Sequence, residues 1–234
     1  MWVKDFNLDK YNINYFFKRH YILIMKIKPI NLIRFIGVSW AKMYSFKRNS
    51  QINIIWDYMY SFWISAEFHC VGEKSLIKRM RCLIGGKYIS IGNNCIIGFN
   101  AVITAWEKHG NDNFIPQIII RNNVLIGDDS HITAINRIEI GNNVLTGKKV
   151  TITDNSHGKS TFEMLSLSPA SRPLYSQGPV IIEDGVWIGD KVTILPNVRI
   201  GKNSIIGANA VVARDIPANC IAAGIPAKVI RIMS

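Results

Sequence analysis

The sequence predicts a mainly β chain: a left-handed parallel β-helix of six-residue repeats, with a helical region ahead of it and a long loop inserted after the third full coil. From Ile91 onward an aliphatic residue recurs at every sixth position, glycine often follows it, and polar pairs such as Asn93-Asn94, Asp128-Asp129 and Lys202-Asn203 come next. In register the repeats begin at Ile91, Ile97, Ile103, Ile120, Ile126, Ile132, Ile140, Thr146 and Ile152, then run unbroken through Ile182, Ile188, Ile194, Ile200, Ile206 and Val212. An amphipathic helix would space apolar residues by three and four, and a hairpin sheet by two; six is one short strand plus a corner. Three repeats close a triangular coil whose inward aliphatics stack on their equivalents about 4.8 Å away. Glycines and asparagines suit its corners.

Residues 1–71 show no sixfold period. They form a helical, basic and aromatic region, with one helix around Gln51 to Phe68 and Pro29 separating earlier segments. Residues 72–217 form the β-helix, opening with an incomplete coil in which Ile77 and Ile84 point inward. Loops at 107–119 and 156–181 leave it, and 218–234 is a capping segment.

Of the 234 residues, 48% are apolar, enough for a sizeable core, which excludes a disordered chain. Residues 1–50 hold ten basic and two acidic groups, +8 of the +12 net charge, so this end suits an anionic partner such as a membrane surface, or simply a solvated face. Lys26, Lys28, Arg34 and Lys42 break up every apolar run before it reaches the ~18 to 20 residues that span a bilayer. The first residues are polar and charged, not a secretory leader, so a cytoplasmic protein is expected, with possible peripheral contact at the inner membrane face. Cys70, Cys82, Cys95 and Cys220 lack zinc or disulfide spacing and are expected to be reduced, mostly buried thiols.

The residue that most suggests chemistry is His157, in Thr153-Asp154-Asn155-Ser156-His157-Gly158, where a repeat ends and the long loop leaves. That stretch, with Arg172-Pro173-Leu174, Ser176, Gly178-Pro179-Val180, Gly185-Val186-Trp187-Ile188-Gly189, Asp215-Ile216-Pro217 and Ala223-Gly224-Ile225-Pro226-Ala227-Lys228-Val229-Ile230-Arg231, resembles the hexapeptide acyltransferases over residues 72 to 232. The resemblance is to their maltose and galactoside acetyltransferase branch and to the sugar O-acetyltransferases of capsule, O-antigen and exopolysaccharide synthesis.

The resemblance implies an acetyl coenzyme A dependent O-acetyltransferase acting on a sugar hydroxyl of a polysaccharide, glycan precursor or saccharide, with His157 as general base in direct transfer. It implies a homotrimer with coenzyme A held between subunits, lined by Trp187, Asp190, Ala208, Ala213, Arg214, Lys228 and Arg231. The galactoside enzymes hold the sugar with an asparagine one coil before the base, where this chain has Gly127-Asp128-Asp129; Asp128, Asp129 and Asn136 are the acceptor-side candidates. No metal and no nucleic acid is expected: His109, His131 and His157 are widely spaced, unlike the paired zinc histidines of prism-shaped carbonic anhydrases. N-acetylation of an amino sugar nucleotide and a non-catalytic trimeric scaffold are the alternatives.

Overall fold

The computed structural model describes residues 29–233. The earlier part of the expected helical region lies outside the described residues. Two helices open the described chain, α1 over Pro29–Met43 and α2 over Phe46–Ser65. The chain divides into two compact units, residues 1–53 and 54–234. The end of α2 belongs with the β-helix because Ile64 and Phe68 enter its core. There the Ile77 N–H donates to Ser61 Oγ at 2.9 Å and the Met80 N–H to Tyr60 Oη at 3.2 Å.

The β-helix has three parallel sheets. The first runs Cys70–Val71, Ile89–Ile91, Gln117–Ile120, Arg137–Ile140, Val180–Ile182, Arg199–Ile200. The second runs Leu76–Ile77, Ile96–Ile97, Leu125–Ile126, Leu145–Thr146, Trp187–Ile188, Ile205–Ile206, Cys220–Gly224, with Ala227–Ile232 added antiparallel at its end. The third runs Cys82–Ile84, Val102–Ala105, His131–Ala134, Thr151–Thr153, Thr193–Ile194, Val211–Val212. Each repeat thus contributes one strand to one sheet, and its inward residue stacks in register: Ile91, Ile120, Ile140, Ile182 and Ile200 in the first sheet, Ile103, Ile132, Ile152, Ile194 and Val212 in the third. All fifteen repeat-opening positions read from the sequence are buried, Thr146 included.

Three boundaries differ from the sequence reading. In the opening coil Leu83, not Ile84, stands in the inward ladder, opposite Ile103 and packed against the core, although both are half-buried at this end. Gln117, Ile118 and Ile119 are already in a first-sheet strand, as are Val180 and Ile181, so both loops end earlier than 119 and 181. The cause is common to all three. From first to second sheet and from second to third, inward residues are always six apart, as in Ile120, Ile126, Ile132 or Ile182, Ile188, Ile194. Only the step from third sheet back to first varies: Leu83 to Ile91, Ile103 to Ile120, Ile132 to Ile140, Ile152 to Ile182. Every insertion leaves at that one corner, and its flanks lengthen the strands there.

Polar pairs close the other corners. The second member of each takes a left-handed backbone, Asn94, Asn123 and Asn143 at φ of 56°, 58° and 58°. The first reaches the neighbouring coil: Asn122 Oδ1 accepts from the Asn93 N–H at 2.8 Å, and Asp184 Oδ1 from the Asn142 N–H at 2.6 Å. All four cysteines are free thiols, Cys95 and Cys220 buried, Cys82 half-buried and Cys70 exposed. Among the described residues no helix is long and apolar enough to cross a membrane.

Candidate functional site

The corner that releases both insertions also carries the candidate base. After the Thr151–Thr153 strand the chain buries Asp154 completely. Its Oδ1 accepts from the Ile135 N–H at 2.9 Å and from Asn155 Nδ2 at 3.0 Å, and its Oδ2 from the Asn136 N–H at 2.8 Å. Burial pushes this carboxyl above its ordinary value, and the donors around it offset that only in part. Asn155 Nδ2 also donates to the Thr133 carbonyl at 3.3 Å. The exit of the long loop is therefore tied to the previous coil by side chains that replace the interrupted ladder.

Beyond this knot Ser156–His157 pairs antiparallel with Leu174–Tyr175, His157 opposite Leu174, and the Gly158 N–H donates to the Pro173 carbonyl at 2.7 Å. Gly158 has φ +80°, and a Cβ there would lie 3.0 Å from Arg172 Cδ, so a side chain would be both strained and crowded. The backbone of His157 is fixed on both sides while its imidazole is exposed. Ser156 Oγ is turned to the Gly158 carbonyl at 3.2 Å.

A second imidazole meets the first. The shorter insertion forms a hairpin, Lys108–His109 against Asp112–Asn113, and the His109 and His157 rings stand edge to face with centroids 5.8 Å apart and planes at 70°. Spacing along the sequence hides this meeting. The repeat register carries the signal, since the Ile103 to Ile120 and Ile152 to Ile182 steps both fall between third and first sheets. Between the two insertions lies a cavity of about 470 Å³ whose walls include Asn113, Phe114, Lys159, Glu163, Leu174 and Tyr175. Lys159 Nζ sits 5.0 Å from the centre of the Tyr175 ring.

Of the acceptor-side candidates, Asn136 stands at this corner, where its Nδ2 donates to Ser176 Oγ of the long loop at 3.4 Å. Asp128 and Asp129 do not. They form the corner between second and third sheets: Asp128 Oδ1 accepts from the Phe99 N–H at 2.9 Å, its Oδ2 lies 3.3 Å from Lys148 Nζ, and Asp129, at φ 58°, accepts from Asn100 Nδ2 at 3.3 Å. Burial pushes the Asp128 carboxyl up, but the Phe99 N–H and the Lys148 ammonium outweigh it and hold it below its ordinary value. Within one chain these carboxylates serve a turn and are not brought to His157.

The residues expected along coenzyme A divide over two corners and one face. Trp187 points outward from the second sheet, between Leu145 and Ile205, and is half exposed. Asp190 and Ala208 follow that sheet at its corner with the third, where Asp190 Oδ1 accepts from the Lys148 N–H at 2.8 Å. Ala213 and Arg214 follow Val212, at the corner that carries His157. Lys228 and Arg231 lie on the terminal strand, opposite Ala223 and Ile221. Arg214, Lys228 and Arg231 are exposed, and among the described residues none of them is in an ion pair. No cluster of three or more metal-ligating side chains occurs among the described residues.

Known proteins are similar to this chain in sequence and in fold. A family model described as bacterial transferase hexapeptide (six repeats) matches residues 179–214. The galactoside O-acetyltransferase of Escherichia coli K12 is 35% identical over 185 residues, covering 74% of this chain and 74% of that protein. WbbJ of the same strain, named for O-acetyl transfer in lipopolysaccharide biosynthesis, is 42% identical over 118 residues; the match covers 49% of this chain and spans 60% of that relative's length. Among solved structures, AntD, an N-acyltransferase of Bacillus cereus crystallised as a point mutant with dTDP-4-amino-4,6-dideoxyglucose and coenzyme A, has the same fold. Its TM-score is 0.56 at 19% identity, over 72% of this chain and 85% of that one. The repeat register, the histidine at the loop-bearing corner and the galactoside enzyme's match along three quarters of both chains place this chain in the hexapeptide-repeat acetyltransferase family.

Proposed function

We propose that the chain transfers an acetyl group from acetyl coenzyme A to a hydroxyl of a saccharide, with His157 as general base. The observation that carries this reading is the setting of His157: an exposed imidazole on a backbone pinned between the buried Asp154 knot and the Leu174 strand, whose Leu174 and Tyr175 also line the inter-loop cavity. A sugar hydroxyl attacks a thioester poorly while it keeps its proton. Acceptance of that proton by the imidazole as the oxygen bonds to the acetyl carbon contributes about 10² to 10⁴ in rate. The C–S bond then breaks, the ester forms, and the proton passes to the departing coenzyme A thiolate.

The cavity supports a saccharide on the acceptor side, since it offers an aromatic ring, a lysine, a glutamate and an asparagine, with Asn136 at the same corner. Coenzyme A would run over Trp187, Asp190, Ala208, Ala213, Arg214, Lys228 and Arg231, the last three facing phosphates through cations that have no ion-pair partner among the described residues. Because Asp190 and Ala208 occupy one corner and Ala213 and Arg214 another, a groove using all of them needs two chains side by side. That supports a homotrimer, and in it Asp128 and Asp129 of one copy could face an acceptor held by the next. The outward ladder Ile96, Leu125, Leu145, Trp187 of the second sheet is an apolar face suited to such packing. Use of acetyl coenzyme A fits a cytoplasmic setting.

Labelled acetyl coenzyme A offered with a panel of sugars, oligosaccharides and nucleotide sugars tests this reading. Hydroxyl acetylation that His157→Asn abolishes is the expected result. Labelling confined to amino sugar nucleotides would replace O-transfer by N-transfer, and no labelling of any acceptor would leave a scaffold.

A further inference from the structure

Helix α2 has two apolar stripes, and the β-helix uses one. Tyr60, Ser61, Ile64 and Phe68 turn toward the coils, where Ile64 and Phe68 are buried. On the other side Ile55, Trp56, Met59, Phe62 and Trp63 follow one another at the three-and-four spacing of a helix face and are 56% to 77% exposed. A surface helix of a globular unit normally turns such a stripe inward; here nothing among the described residues covers it. Helix α1 repeats the pattern without any buried residue: Ile30, Ile33, Phe35, Ile36, Trp40 and Met43 are 56% to 70% exposed.

The charges on α1 and on the first turns of α2 have one sign, and Asp57, half-buried, is the single acidic group within α2. Over residues 29 to 53 the chain carries Arg34, Lys42, Lys47 and Arg48, all exposed, and no acidic group. Tryptophan and tyrosine are the side chains that settle at the boundary between headgroups and acyl chains, and Trp40, Tyr44, Trp56, Tyr58 and Trp63 all lie exposed along this stretch. Neither helix is long and apolar enough to cross a bilayer. Exposed bulky apolar and aromatic residues, preceded by cations in the same stretch and unable to span, match helices lying in the plane of a membrane surface.

We propose that α1 and the outward stripe of α2 bind an anionic phospholipid surface, with Trp56, Phe62 and Trp63 entering the headgroup boundary and Arg34, Lys42, Lys47 and Arg48 facing the phosphates. This inference goes beyond the acetyl-transfer reading and does not depend on it. Flotation of the full chain with vesicles of phosphatidylcholine, alone or mixed equally with phosphatidylglycerol, tests it, alongside the triple variant Trp56→Ser, Phe62→Ser, Trp63→Ser. The substituted positions face away from the β-helix, and circular dichroism of the variant checks its fold. Binding of the parent to the anionic vesicles at least tenfold tighter than to the neutral ones, weakened by 1 M salt and lost in the triple variant, is the expected outcome. A second variant, Lys42→Gln with Lys47→Gln, should lose the preference for anionic vesicles while keeping residual binding. If the parent does not float with either vesicle, or if the triple variant keeps parental binding, the proposal fails. If the parent stays free of vesicles and the triple variant changes the mass by light scattering, a second copy of the chain covers the stripe.

Discussion

The His109 and His157 rings meet edge to face, 5.8 Å between centroids, although one stands on the shorter insertion and the other on the longer. His109 is thus the aromatic neighbour of an imidazole that is otherwise exposed. If His157 takes the acceptor proton, its removal and that of His109 should differ in kind. His157→Ala or His157→Asn is expected to lower kcat by at least about 10², as loss of a general base does, with coenzyme A binding retained. His109→Ala should lower kcat by a smaller factor, roughly three- to tenfold, and His109→Phe, which keeps a flat ring in place, should restore much of it. Steady-state kinetics on the folded variants reads both; equal losses at the two positions would give His109 a proton-transfer role of its own.

Asp154 should matter through the backbone it satisfies. Replacing it by Ala leaves the buried Ile135 N–H and the partly buried Asn136 N–H without acceptors, at about 1–3 kcal/mol for the buried donor and less for the other. Urea unfolding at neutral pH measures the loss, and Asp154→Asn, which keeps one acceptor, should cost less than Ala.

The same carboxyl sets a pH dependence of stability. Burial raises it above its ordinary value of 3.8 in the folded chain, so the folded state holds this proton more tightly than the unfolded one. The contribution is full below the unfolded value and is lost as pH rises through the folded one. Asparagine does not titrate. The stability of the parent relative to Asp154→Asn should therefore fall as pH is raised from below 3.8 toward neutrality, and parallel unfolding curves across that range check the sign.

Arg214 and Arg231 should act on binding alone. A guanidinium grips phosphate through paired hydrogen bonds, so changing both to Ala should raise KM for acetyl coenzyme A about tenfold, equivalent to about 1.4 kcal/mol, with kcat nearly unchanged. A donor lacking the 3′-phosphate should show a smaller difference between parent and variant. An identical KM in parent and variant at low and high salt would return both arginines to solvent.

The second-sheet ladder gives the assembly a test. Leu145→Asp places a carboxylate in the middle of the outward apolar face, next to Leu125 and Trp187. Light scattering should show trimer converting to monomer, with acetyl transfer falling in proportion. An active monomer would remove the need for a groove between chains.

The sixfold period reveals the core because burial repeats with it: the ladder from Ile91 to Val212 needs no tertiary information. It is silent where the step from third to first sheet lengthens, and for that reason it points to Ile84 in place of Leu83 and sets the loop ends late, beyond Gln117 and Val180. His157 stands out through its motif. His109 does not, because a contact between two insertions depends on how each folds back. Asp128 and Asp129 carry two readings at once, because a corner that caps a backbone N–H and a neighbouring amide selects the same polar side chains that a sugar would.

Confining every insertion to one corner separates two kinds of inheritance in this fold. The two uninterrupted corners keep strict count, so a residue gained or lost there would displace every isoleucine that follows and turn a face of the core outward. The third corner keeps no count. Residues can be added to or removed from it while the coils above and below stay in step, which makes it a seam along which a lineage can exchange one recognition loop for another and keep the scaffold unchanged.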